Sequence, residues 1–166
     1  MIQKENEMMQ FENVIIKILR MISFVMFVIM IVVVFAQVML RYFFGAPLAW
    51  SDELARLLLI WISFMGVTLV HYTKAGHPAV TFLIEKAPVQ LRKGIELFLN
   101  LLLAVCFIFI CRASLEYTIS NHRFVSAVLH YPNSVKYAVV PICMALMAIK
   151  NLIHSFDLVK KLLQKS

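Results

Sequence analysis

This sequence predicts an all-α integral membrane protein with four transmembrane helices, an N-terminal amphipathic arm and a short interfacial helix between helices 2 and 3. Three observations carry that reading. Of the 166 residues, 62% are hydrophobic and 15% charged, and the mean hydropathy is +0.86, so polar groups are too few to cover a water-soluble domain. Charge-free apolar runs approach or reach the roughly 20 residues that a helix needs to cross a bilayer. Between them lie short stretches where aromatic and charged residues sit together, as they do where a chain turns at a membrane surface.

The chain reads as a single domain over residues 1–166, with spans near 15–42, 52–73, 94–116 and 134–156. Val14, Ile15, Ile18, Leu19 and Ile22 recur at helical spacing, with Lys17 and Arg20 on the other face. This is an amphipathic lead-in, continuous with the first span. Met21 to Leu40 carries no charge, and Gln37 is its one strongly polar side chain. Glu5, Glu7 and Glu12 precede an apolar run too long for a signal-peptide core, so the first segment is expected to remain as an anchor.

Gly45 and Pro47 break the first helix, and the second is expected to begin at Ser51, whose hydroxyl is a candidate N-cap. Asp52 and Glu53 then fall in the first turn, where the helix dipole favours acids. Ser63, Gly66 and Thr68 are small or hydroxyl-bearing positions that allow another helix to approach. Residues 78–87 are expected to form the short interfacial helix, ended by Pro88. The charge-free core of the third span, Leu97 to Cys111, is only about 22 Å long at ~1.5 Å per residue. Glu96 and Arg112 at its ends must therefore snorkel or pair. Residues 121–133 form a polar loop, and the fourth span contains Pro141 and Lys150. Lys150 either reaches the interface or pairs with Glu96 on the same membrane side.

Orientation follows from the cations. Eleven Lys and Arg lie in the termini and the central loop, against five in the first hairpin and the last loop. The positive-inside rule then places both termini in the cytoplasm. The net charge of +7 is spread in small groups between apolar segments, the pattern of an oriented membrane protein and not of a nucleic-acid surface. Cys106, Cys111 and Cys143 all fall in apolar segments, with no CxxC, and read as small buried residues.

No catalytic constellation emerges. The chain has no GxSxG, HExxH, Walker loop or dinucleotide fingerprint. The outer loops have no cysteine pair for thiol oxidation, and the inner cations are mostly lysines, which disfavours a glutathione-using enzyme. No catalytic, metal or cofactor-binding residue is therefore expected. One alternative is a membrane anchor for a haem or quinone redox complex, because His71 and His154 both lie near inner helix ends, where bis-histidine ligation would need them to face each other.

The first hairpin carries specific spacing: Arg41 and Tyr42; Pro47, Leu48, Trp50, Ser51 and Glu53; Arg56; Trp61, Phe64 and Gly66; then Gly76 and His77. This pattern resembles the small membrane (Q) subunit of tripartite ATP-independent periplasmic (TRAP) transporters. The second half matches by hydropathy alone. The resemblance implies a non-enzymatic permease subunit of a sodium-coupled importer of an organic acid, of the sialic acid or C4-dicarboxylate type. Its partners would be a large M membrane subunit and a periplasmic substrate-binding P protein, and its location the bacterial inner membrane.

Specific roles are expected at the hairpin. Arg41 and Glu53 lie at one depth and are expected to pair, closing the turn. Asp52 and Arg56 are spaced i,i+4, which is worth only ~0.2 to 0.5 kcal/mol. Tyr42, Trp50, Trp61 and Phe64 are interfacial or packing aromatics. His122, Arg123, His130 and Tyr131 form a candidate docking surface for the P protein, and Glu96 with Lys150 a candidate pair on the cytoplasmic side.

Overall fold

The structure is a computed structural model and describes residues 2–45, 48–72 and 92–163. The interfacial helix expected at 78–87, together with Gly76, His77 and Pro47, lies outside the described residues. The described residues form five α-helices: α1 (Ile2–Phe44), α2 (Ser51–Tyr72), α3 (Arg92–Ser120), the short α4 (Asn133–Tyr137) and α5 (Val139–Leu163). A 3₁₀ turn, Asn121–Arg123, follows α3.

The all-α membrane architecture expected from the sequence is the one observed. Among the described residues four helical segments, 12–44, 51–72, 94–123 and 133–160, are long and apolar enough to cross a bilayer. α1 runs without a break from the lead-in through the first span, 43 residues or about 65 Å at ~1.5 Å each. That exceeds the ~30 Å hydrocarbon core, so the helix extends well beyond it. Gly45 follows with φ of 63°, the left-handed conformation in which glycine ends a helix without a Cβ penalty.

The break between α4 and α5 also has a local cause. Pro141 offers no N–H to the carbonyl of Tyr137 and its ring crowds that carbonyl. The helix therefore steps at Ala138, whose N–H is taken by Ser134 O at 2.9 Å.

The helices lie in the spatial order α1, α2, α5, α3. α1 and α2 are antiparallel, tied at the turn by Gln37 Nε2 donating to Asp52 Oδ1 at 2.9 Å. α5 runs parallel to α2: Trp61 Nε1 donates to Val135 O at 3.1 Å, and Tyr72 Oη donates to Leu146 O at 2.8 Å. α3 lies antiparallel on the other side of α5, with Cys111 Sγ 3.4 Å from Pro141 O. Leu19, Met65, Val139 and Cys143 form one buried cluster, and Phe107, Met144, Met147 and Ala148 a second. Phe64 packs against both clusters and joins them.

Several hydroxyl and amide side chains within the helices donate back along their own helix. Thr68 bonds Phe64 O at 2.9 Å, Thr118 bonds Ser114 O at 2.7 Å and Asn100 bonds Glu96 O at 2.8 Å. This satisfies polar groups locally where water is scarce. α1 shows the opposite extreme: only 6% of its span is buried within the chain. Its apolar side chains face outward around most of the helix, toward lipid or another protein.

Candidate functional site

The chemistry of this chain concentrates at the two ends of the helical row. At the hairpin end, the turn between α1 and α2 meets the loop between α3 and α4. Ser126 N donates to Tyr131 O at 2.9 Å and Asn133 N to Phe124 O at 2.8 Å, which folds 124–133 into a short hairpin closed by an isolated bridge between Val125 and Pro132. Glu53 reaches into its tip. One carboxylate oxygen accepts from Ala127 N at 3.2 Å, the other from Val128 N at 3.1 Å and Leu129 N at 2.8 Å.

Three consecutive amides converging on one anion make a backbone nest, a concavity that extended chain cannot form. His130 closes it with φ of 55°, a left-handed conformation that disfavours an L-residue by about 1–2 kcal/mol, and its Nδ1 lies 2.9 Å from Val128 O. Ser126 is buried beside the carboxylate. Tyr131 adjoins the same group; burial and then the Glu53 charge push its phenol above the usual tyrosine range.

This geometry corrects several expectations. Arg41 and Glu53 form no ion pair: Arg41 is exposed, while the Glu53 carboxylate is committed to the loop amides. A carboxylate with three backbone donors within reach gains charge-assisted bonds without ordering a long arginine side chain. Asp52 accepts from Gln37 and forms no ion pair with Arg56, which is exposed. Ser51 is fully buried, but its hydroxyl does not cap α2. It turns back to donate to Leu48 O at 2.6 Å, and Trp50 O accepts the first helical bond from Leu54 N at 3.1 Å.

The other named residues fall as follows. Tyr42 is 81% exposed and Trp50 38%, so both lie at the periphery of the turn. Trp61 and Phe64 pack between α2 and α5. His122 Nδ1 is 3.0 Å from Ser134 Oγ; Arg123 and His130 are exposed and Tyr131 half-buried. All four candidate docking residues lie in the 121–133 stretch, whose tip amides bond to Glu53.

At the opposite end, the expected pair of Glu96 with Lys150 does not form. Glu96 Oε1 lies 3.1 Å from His154 Nε2. Lys150 Nζ donates to His71 O at 3.1 Å and lies 4.7 Å from the centroid of the Tyr72 ring. A cation at the C-terminal end of α2 meets the negative end of the helix dipole. Lys150 thus ties α5 to the C-terminal end of α2. Arg112, expected to snorkel or pair, pairs with Glu116 at 3.2 Å on the exposed face of α3. The redox-anchor alternative needs facing imidazoles. Instead His71 sits edge-on to Phe107, 5.6 Å between centroids, and His154 meets Glu96.

The residue whose partner reading the chain did not find is Glu53, and nothing in its sequence spacing marks three backbone amides more than seventy positions away. The loop itself gave one signal: no acid lies between Asn121 and Tyr137, so a carboxylate from elsewhere meets no repulsion there.

Comparison with known proteins is consistent with these elements. A 35% identical stretch of 100 residues, covering 60% of this chain, aligns with a putative TRAP transporter small permease protein of Haemophilus influenzae strain Rd, of which it spans 60%. A 36% identical stretch of 86 residues, 51% of this chain, aligns with 14% of the sialic acid TRAP transporter permease protein SiaT of H. influenzae strain 86-028NP. The sialic acid TRAP transporter small permease protein SiaQ of Vibrio cholerae is 27% identical over 127 residues, 76% of this chain and 73% of that protein. Residues 30–161 match the family described as tripartite ATP-independent periplasmic transporters, DctQ component. That match runs from within α1 through α2, α3 and α4 to near the end of α5, and the chain belongs to the DctQ family of TRAP transporter small permease components.

Proposed function

We propose that this chain is the non-catalytic small permease subunit of a sodium-coupled TRAP importer of an organic acid, with sialic acid as the substrate class. The observation that carries the reading is the family match over residues 30–161. Two relatives named for sialic acid transport support the substrate class. The chain spans well under two thirds of the length of the first of these, so the transporter's activity as a whole is part of the proposal.

The geometry fits a supporting subunit. Among the described residues no cluster of acids gathers within the spans to hold a coupling ion. α1 leaves most of its apolar circumference to outside contacts, which suits a chain that packs against the large M subunit. The cation distribution orients both termini toward the cytoplasm in the bacterial inner membrane. The loop at 121–133, with His122, Arg123, His130 and Tyr131, then faces the periplasm, where the P protein docks.

The test is co-purification followed by reconstitution. A large polytopic partner of about a dozen spans should accompany this chain, and proteoliposomes holding both, supplied with the soluble binding protein and a sodium gradient, should accumulate sialic acid. Uptake that proceeds equally without this chain would overturn the assignment.

A further inference from the structure

We propose that Glu53 is a positioning residue that sets the shape of loop 124–132 through the Ala127–Leu129 amide nest, and that the soluble substrate-binding partner reads the loop in this preset shape. The second half of this inference rests on the periplasmic docking role proposed above. The first half rests on geometry alone.

Three features support it. The contact joins distant parts of the chain: the carboxylate starts from the first turn of α2 and accepts from three successive amides of the loop at 2.8–3.2 Å. A nest left without its anion exposes three N–H groups pointing at one another, and such a turn opens readily. The pairing of the loop's two arms is limited to one bridge, Val125 with Pro132, made by the Ser126–Tyr131 and Asn133–Phe124 bonds.

What the held loop presents is chemically distinctive. Phe124, Val125, Val128 and Leu129 are exposed, beside exposed Arg123 and His130. With no acid in 121–137 and Glu53 turned into the nest, this surface is apolar and cationic. It is complementary to an apolar patch rimmed by carboxylates on a soluble protein. Ordering it in advance removes the entropy loss of fixing the loop at each encounter.

The experiment uses the full chain with its large permease partner in nanodiscs and proteoliposomes. Variants are Glu53→Gln, which keeps size and removes charge, and Glu53→Asp, which keeps charge on a side chain one methylene shorter. Asp52→Asn is the control, because its carboxylate faces Gln37 and not the loop. Hydrogen exchange over residues 124–132 should speed at least about tenfold in Glu53→Gln, as expected for loss of charge-assisted bonds to exposed amides, and remain at the wild-type rate in Asp52→Asn. In uptake assays with sialic acid, the half-saturating concentration of binding protein should rise at least about fivefold in Glu53→Gln, with the maximal rate retained.

Unchanged exchange in both Glu53 variants overturns the positioning role. Faster exchange with an unchanged half-saturating concentration overturns the claim that the partner reads the loop. A fall in maximal rate alone would assign Glu53 to assembly and overturn the inference too. None of these outcomes touches the subunit assignment, which stands or falls on whether wild-type uptake requires this chain.

Discussion

Lys150 is the perturbation that best tests how the end opposite the hairpin is held. Its ammonium donates to His71 O at 3.1 Å and sits 4.7 Å from the Tyr72 ring centroid, while the Tyr72 hydroxyl donates to Leu146 O at 2.8 Å. A cation over an aromatic ring contributes about 0.5 kcal/mol when exposed and about 2 kcal/mol when desolvated. Tyr72 is buried and Lys150 half-buried, so a value between these limits, about 1 kcal/mol, is expected. The hydroxyl bond adds about 0.5–1.5 kcal/mol and is separable, because Tyr72→Phe removes it and keeps the ring, whereas Tyr72→Leu removes both. Lys150→Met keeps the apolar stem. It loses the bond to His71 O but also relieves the desolvation of the ammonium, so its single effect is expected below about 1 kcal/mol. Double-mutant cycles, read by reversible unfolding in mixed micelles, should then give a coupling of about 1 kcal/mol with Tyr72→Leu and near zero with Tyr72→Phe. A coupling below about 0.3 kcal/mol in the leucine cycle would refute the cation–ring contribution. Equal coupling in both cycles would move the interaction to the hydroxyl.

Other outcomes follow from the same geometry. Met147 is 1% exposed in the cluster between α3 and α5, so Met147→Ala should lower stability by about 2–5 kcal/mol in the same unfolding assay. Trp61→Phe removes the bond to Val135 O, 3.1 Å long, and should cost about 0.5–1.5 kcal/mol, seen as a lower melting temperature with the helical content intact. Arg41→Ala and Glu53→Ala should act additively on melting temperature, since Glu53 is held by loop amides and not by Arg41; a clear coupling would restore the pair. The Tyr131 phenol is raised by burial and by Glu53. Its folded value lies above its unfolded one, so its contribution is intact below about pH 10 and is lost as pH rises through the raised value. Glu53→Gln should bring that loss to lower pH, followed by phenolate absorbance differenced against Tyr131→Phe.

Much of the architecture was legible in the residues. Apolar runs of sufficient length, broken at Gly45 and bounded by Arg41, Glu53 and Arg56, dictate where helices begin and end, because hydrocarbon accepts only backbone that bonds within itself. The spacing from Arg41 to Gly66 also carried the family. The interactions that hold the two ends were not legible. Arg41 with Glu53 and Glu96 with Lys150 were sound pairings by charge and depth, yet each carboxylate met a nearer donor: backbone amides for Glu53 and His154 for Glu96.

The reason is physical. Charge and hydropathy specify how deep a group sits and which sign it prefers, and both are one-dimensional properties of the chain. Which donor lies within 3 Å depends on the order of helices across the row, and packing between α2 and α5 and between α5 and α3 sets that order. Only when α5 lies beside α2 does Lys150 reach the end of α2. The same packing brings the loop that leads into α4 over Glu53. Sequence determined a four-helix membrane protein with a polar hairpin; tertiary structure decided that the hairpin's acid holds a distant loop.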